Sequence, residues 1–277
     1  MSGPAGVDLA WPEQVGHVVV GHIRDQAASR TALAGGRVDD RPERLLFVSG
    51  EPVEWMNGVI AARLPEGEED RWIEAAIAAL REAGVPGMWW VDPWARPADL
   101  AERLVAHGFG HEEDMPWLAA DLGGLDLAER PVDGLVVRRV VDDETQAVWV
   151  HAMRNGFGIP EHVMARIDAL ARREGYGPDA PWARFAGFLD GEPVASSGLM
   201  LFGGVAGIYN VATVPAARRR GIGTAMSLAA MCEGLARGAD LAVLGTTELG
   251  RGVYEGLGFR NVCSMRTFRW HTDAGPS

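Results

Sequence analysis

The run Val211-Ala212-Thr213-Val214-Pro215-Ala216-Ala217-Arg218-Arg219-Arg220-Gly221-Ile222-Gly223-Thr224-Ala225-Met226 constrains this 277-residue chain more than any other. A β-rich segment stops at a proline, three arginines and a Gly-x-Gly follow, and an apolar helix begins. That order builds an anion site. Glycines let the backbone approach a ligand closely, and the first N–H groups of a helix have no intrahelical partner. The positive end of the helix dipole favours phosphate there, and the arginines add charge. A Walker loop fails, because Thr224-Ala225 follows Gly223 where a lysine is required. A dinucleotide fingerprint fits poorly, since Met226 stands where a third small residue belongs.

Downstream, Leu241-Ala242-Val243-Leu244 reads as a short buried strand and Gly245-Thr246-Thr247-Glu248 as a turn. Leu249-Gly250-Arg251-Gly252-Val253-Tyr254-Glu255-Gly256-Leu257-Gly258-Phe259 follows. Arg218-x-x-Gly221-x-Gly223 resembles the acyl-CoA pyrophosphate loop of the GNAT superfamily of N-acyltransferases. Tyr254-x-x-Leu257-Gly258-Phe259 resembles that superfamily's final helix and turn. The two motifs stand in the right order, and the resemblance covers roughly residues 135–271.

The resemblance implies acetyl-CoA as co-substrate and assigns parts. The backbone N–H groups of Arg219, Arg220, Gly221, Ile222, Gly223 and Thr224, with Arg218, would hold the pyrophosphate. Val211, Ala212 and Thr213 would pair with the pantetheine arm and aim an N–H at the thioester carbonyl, an oxyanion-type contact; they also read as a plain buried strand. Tyr254 would sit beside the sulfur as general acid, since a phenol of ordinary pKa about 10 is protonated at neutral pH; a core tyrosine is the plainer alternative. Glu248 reads either as general base or as a carboxylate capping the Tyr254 helix. Thr247 takes a place where many relatives have an asparagine touching the cofactor arm. Tyr209 and Asn210 face the expected acceptor cleft, and Glu161 and His162 open a helix that shapes the acceptor pocket in the family. Each of these four also reads as a surface or packing residue.

The C-terminal half alternates strand and helix. Residues 135–140 form a strand, and Asp142, Asp143, Glu144 and Thr145 supply cap residues for the helix that follows. A second helix starts after Ile159-Pro160-Glu161. Strands at 183–189, 194–201 and 206–214 are joined by Asp190-Gly191 and Gly203-Gly204, and a helix runs to about Arg237.

A fainter echo precedes it. Strands at 45–48, 58–61 and 88–91, helices at 71–81 and 97–106, and a closing Gly108-Phe109 repeat the same order. An acidic run, Glu66-Gly67-Glu68-Glu69-Asp70, stands where the other half has its arginines and glycines, and carboxylates there would repel a pyrophosphate. Leu104 matches Tyr254. The expected fold is thus α/β (α+β), two GNAT-like mixed β-sheet domains flanked by helices, with a degenerate first copy. Residues 1–125 form that copy and residues 126–277 the catalytic domain that binds acetyl-CoA. This two-half arrangement resembles that of mycothiol synthase and related acetyltransferases.

The net charge of −12 argues against nucleic acid as a partner. Two cysteines give neither a disulfide framework nor zinc spacing, so no metal is expected. No apolar run is long enough for a membrane span and the N-terminus lacks signal-peptide regions, so a cytoplasmic protein is expected. Trp89, Trp90, Trp94 and Trp117 suggest an aromatic wall between the halves. The reading is N-acetyl transfer to the primary amine of a small molecule or protein, by direct attack. The alternative is a non-catalytic acyl-CoA-binding sensor or partner protein.

Overall fold

The computed structural model describes residues 13–178 and 180–271, with Glu248 and Leu249 described by backbone alone. Its first part runs α1 (Glu13–Ala34), β1 (Arg37–Arg41), β2 (Arg44–Val48), β3 (Asn57–Ile60), α2 (Glu69–Ala83), β4 (Gly87–Val91), α3 (Leu100–Ala106) and β5 (Gly110–Asp121). The second runs β6 (Leu135–Arg139), α4 (Asp143–Phe157), α5 (Glu161–Glu174), β7 (Trp182–Leu189), β8 (Glu192–Phe202), β9 (Val205–Thr213), α6 (Ile222–Ala236), β10 (Leu241–Gly245), α7 (Glu248–Glu255) and β11 (Arg260–Trp270).

The caps and turns form for reasons local to the sequence. Asp142 accepts from the Thr145 N–H at 2.9 Å and the Thr145 hydroxyl reaches back to the Asp142 N–H, a reciprocal capping box that starts α4. Asp190 and Gly191 both have positive φ, the two-residue turn whose twist matches a β7–β8 hairpin.

All the strands join one sheet of eleven, in the order β1-β2-β3-β4-β11-β5-β10-β9-β8-β7-β6. The closing strands of the two parts are exchanged. β11 lies antiparallel between β4 and β5, with Phe268 opposite Trp89, while β5 crosses to pair with β10, Leu118 opposite Leu244. A cut at residues 125/126 therefore separates β11 from the two strands that flank it.

Side chains alternate across the sheet and give it two apolar faces. On one face α2 and α3 cover Leu46, Val59, Trp89 and Phe268, and α6 and α7 cover Leu118, Ala242, Leu244 and Ile208. On the other, α1 covers Phe47, Trp90, Trp117 and Val243, and α4 and α5 cover Ala186. Trp89 and Trp149 are wholly buried, each worth roughly 5 kcal/mol of gross transfer free energy at about 25 cal/mol per Å². α1 was not expected from the sequence. It ties the two parts together through Arg30, whose guanidinium meets one oxygen of Glu174 at 2.9 Å while Arg184 meets the other at 2.7 Å. Arg184 is buried, and its Nη2 donates to the carbonyls of Ala171 and Gly175, while its Nε has no partner among the described residues. Among the described residues no helix is long and apolar enough to cross a membrane.

Candidate functional site

β9 is interrupted where the chemistry was expected. Ser196 faces Ala212 and Gly198 faces Tyr209, so Ser197 alone opposes both Asn210 and Val211. This is a β-bulge. Asn210 takes the left-handed conformation at φ 55°, which asparagine tolerates better than most residues. The Ser196 hydroxyl donates to the Asn210 carbonyl at 2.9 Å, and the Trp149 indole N–H donates to the Ser197 carbonyl at 3.0 Å, so the bulge is held from two sides.

On its other flank β9 runs parallel to β10 only from Val205 to Gly207. Past that point the strands part, and Tyr209, Val211 and Thr213 lie along an edge with no ladder partner toward β10. An extended chain with amide groups could pair with that edge. The gap is bordered on the far side by Gly245, which pairs with Trp117 of β5.

The loop after β9 ends at Gly221, which has φ 80° and caps α6. The first helical bond runs from the Ala225 N–H to the Gly221 carbonyl at 3.1 Å, leaving the N–H groups of Ile222, Gly223 and Thr224 without helical acceptors. A Cβ added at Gly223 would meet nothing within 4 Å, so the space before it is open. Arg219 and Arg220 are exposed and form no ion pair among the described residues. Arg218 is employed differently: its guanidinium donates to the Thr213 carbonyl at 3.1 Å and to the Gly156 carbonyl at 2.7 Å. It ties the end of β9 to the end of α4. There α4 comes so close that a Cβ on Gly156 would lie 2.7 Å from that of Ala212.

Tyr254 lies in the last turn of α7, half-buried, its ring edge-on to Phe259 at 6.0 Å. Burial pushes its phenol above the ordinary value, and the Ser227 hydroxyl pulls the other way with less effect. Ser227 itself donates to the Gly223 carbonyl at 2.9 Å, so the phenol sits one helical turn from the anion-binding loop. Thr247 caps α7 and is exposed. Glu248 opens α7, and its side chain lies outside the described part of the structure.

Tyr209 and Asn210 line a cavity of about 240 Å³ between α1 and the sheet. Glu161 and His162 do not line it; both are exposed at the start of α5, where Glu161 pairs with Arg154 at 3.3 Å. Sequence reasoning missed Trp182 and Arg30, which also line the cavity, because the strand and helix that carry them meet only in three dimensions.

Residues 119–254 match the family described as Acetyltransferase (GNAT) domain. Among solved structures the chain is similar to a GCN5-related N-acetyltransferase from Kribbella flavida, at 20% identity and TM-score 0.64 over 92% of this chain and 96% of that one. It is also similar to a GCN5-related N-acetyltransferase from Sphaerobacter thermophilus, at 16% identity and TM-score 0.63 over 85% and 80%. A tandem GNAT protein from the clavulanic acid biosynthesis pathway shares the fold at 14% identity and TM-score 0.60 over 93% and 95%. No curated protein matches the chain. Residues 119–254 are thus similar to a GNAT acetyltransferase domain, and the chain shares the fold of solved GCN5-related N-acetyltransferases.

Proposed function

We propose that this chain transfers an acetyl group from acetyl-CoA to a primary amine of a small molecule or protein. The observation that carries the reading is the alignment of one free strand edge with one free helix N-terminus. The edge of β9 from Tyr209 to Thr213 leads through Arg218 into the N–H groups of Ile222, Gly223 and Thr224, with Arg219 and Arg220 alongside. A long amide-bearing arm ending in a pyrophosphate fits that sequence of donors.

Acetyl-CoA supplies an activated acyl carbonyl and a thiolate leaving group. Val211, Ala212 and Thr213 bind its arm by strand pairing and point a backbone N–H at the carbonyl oxygen, where charge develops. As the N–C bond forms and the C–S bond breaks, Tyr254 gives its phenolic proton to the sulfur. The raised phenol pKa keeps that proton in place at neutral pH. Glu248 is our candidate to take the proton the amine loses, with Thr247 beside the arm. Glu161 and His162, exposed at the start of α5 and away from the cavity, are kept as candidate acceptor contacts in this reading.

We assign the chemistry to residues 126–277 and read residues 1–125 as a degenerate copy. Two observations support this. The start of α2 is already occupied by Glu68, Glu69 and Asp70, which answer its dipole with carboxylates instead of a ligand. Leu104, matching Tyr254, is completely buried in α3. Two free cysteines fit a reducing cytoplasm. A thiol-release assay over a panel of amines tests the reading. Steady turnover supports an enzyme, and tight acetyl-CoA binding without turnover supports a sensor instead.

A further inference from the structure

The cavity beneath α1 is built by both halves. Trp55 and Trp90 come from the first, Trp117 from the exchanged strand β5, and Trp182 and Tyr209 from the second. Aromatic faces therefore dominate its wall. No aspartate or glutamate is among its lining residues, and the one cation, Arg30, is engaged by Glu174 at 2.9 Å and lies over the Trp182 ring at 4.9 Å. The wall does carry two buried polar atoms with no partner among the described residues, the Tyr209 hydroxyl and the Trp117 indole N–H. A buried donor without an acceptor is destabilising, so two on one wall mark a place where an acceptor atom belongs.

The cavity is positioned for the reaction. Tyr209 projects to the α1 face of the sheet, opposite the α6 face on which Tyr254 packs. Asn210 and Trp117 both line it; Asn210 borders the gap between β9 and β10 on one side, and Trp117 pairs with Gly245, which borders it on the other. A cofactor arm lying in that gap would reach from the α6 side; a molecule in the cavity meets the gap from the α1 side.

We infer that this cavity is the acceptor site and that it takes a flat aromatic monoamine bearing an oxygen substituent, an inference that rests on the acetyl-transfer reading above. Size agrees: a dry cavity of about 150 Å³ holds benzene, so about 240 Å³ holds one ring with a short side chain. Charge agrees too. Without a carboxylate on the wall, a second ammonium group would be buried with no counter-ion, which selects against polyamines. The aromatic faces attract a single ammonium group on its way in. The ring oxygen would accept from Tyr209 and Trp117, and the amine would point at the bulge around Asn210.

The test is a fluorescence titration of the whole chain with tyramine, 2-phenylethylamine and 1,5-diaminopentane, with and without acetyl-CoA. Buried tryptophans report occupancy directly. Both aromatic amines should saturate, tyramine about tenfold tighter than 2-phenylethylamine, and the diamine at least tenfold weaker than either. Tyr209→Phe should remove most of the tyramine advantage and leave 2-phenylethylamine unchanged. Ala27→Phe fills the cavity from the half-exposed helix α1, and it should abolish amine binding in a chain that still binds acetyl-CoA by calorimetry. Equal or tighter binding of the diamine, absence of saturable aromatic binding, or an Ala27→Phe variant with unaltered amine affinity would overturn the assignment. Loss of acetyl-CoA binding by the unaltered chain would sink the transfer reading, while the titration without cofactor would still decide the cavity.

Discussion

The Arg218 guanidinium donates to the Gly156 carbonyl at 2.7 Å, joining the loop that precedes α6 to the last turn of α4. The same group holds Thr213, so one side chain fixes where the free edge of β9 ends relative to the anion-binding N–H groups. Arg218→Met should therefore raise the acetyl-CoA KM about tenfold with little change in the amine KM. Arg218→Lys should not restore it, because one ammonium group lacks the planar fork that serves two carbonyls. Steady-state kinetics with each substrate varied in turn check this, and full recovery in the lysine variant would leave charge alone as the explanation.

Gly221 and Gly223 separate backbone strain from obstruction. Gly221→Val forces a β-branched residue to φ 80°, a strain of roughly 1–3 kcal/mol. Gly223→Val meets open space, so the protein should fold while the methyl groups occupy the approach to three free N–H groups. Calorimetry should count one acetyl-CoA per chain in the parent and none in either variant. Unchanged affinity in folded Gly223→Val, or two sites in the parent, contradicts the site as drawn.

Tyr254→Phe should lower kcat about 10²-fold with acetyl-CoA binding intact. The phenol must be protonated to act, so kcat should fall as pH rises through its pKa, and burial places that limb above the ordinary tyrosine range. Ser227→Ala removes a group that favours the phenolate and should move the limb higher still. A kcat that holds within a few-fold in the phenylalanine variant assigns thiolate protonation to another donor.

His22 supplies a stability test. It is buried, stacked on Tyr209 at 6.1 Å, with neither ring nitrogen partnered among the described residues, and burial pulls its pKa from 6.5 down to about 4. The folded state holds the neutral imidazole, so this contribution is complete above pH 6.5 and is lost as pH falls toward 4. At 1.36 kcal/mol per unit it amounts to roughly 3 kcal/mol. Urea midpoints of the parent should fall more steeply between pH 6.5 and 4 than those of His22→Phe. Parallel profiles would show that His22 titrates as it does in water.

A fragment beginning near Pro131 should aggregate. It keeps β10 and β11 and removes β5 from both and β4 from β11, exposing Met265, Phe268 and Trp270 on β11, which is left without a partner strand. Sedimentation and circular dichroism would show it. A soluble fragment with parental turnover would mean the first half is dispensable.

Much of the second half was legible because its punctuation is local. Asp142 with Thr145, Asp190-Gly191 and Gly203-Gly204 each set a cap or turn from neighbouring residues alone. α1 was not legible: glycines at 16 and 21 and polar residues at 25, 26 and 29 dilute its apolar stripe, and Val15, Val19 and Ile23 are buried by strands far along the chain. β5 opens with exposed His111, Glu112, Glu113 and Asp114, which hide the alternation. The bulge at Asn210 carries no glycine, and an asparagine inside an apolar run is a thin hint. The cavity was least visible, since Trp117 and Trp182 are neighbours only after the strands exchange. The aromatic wall expected of Trp89, Trp90, Trp94 and Trp117 is partly that cavity: Trp90 and Trp117 line it, while Trp89 packs under α2 and α3.

The exchanged strand also sets a timetable for synthesis. When residues 1–125 have left the ribosome, the segment of β5 has neither of its partners, β10 and β11, and the place beside β4 that β11 takes is an empty space one strand wide. That space stays open until translation has passed Trp270, with Trp89 and Trp90 on the unsealed strand. The nascent chain must carry an incomplete sheet through most of its own production. Its yield in a cell should therefore depend on chaperones that shield strand edges, and on how fast the ribosome covers the second half.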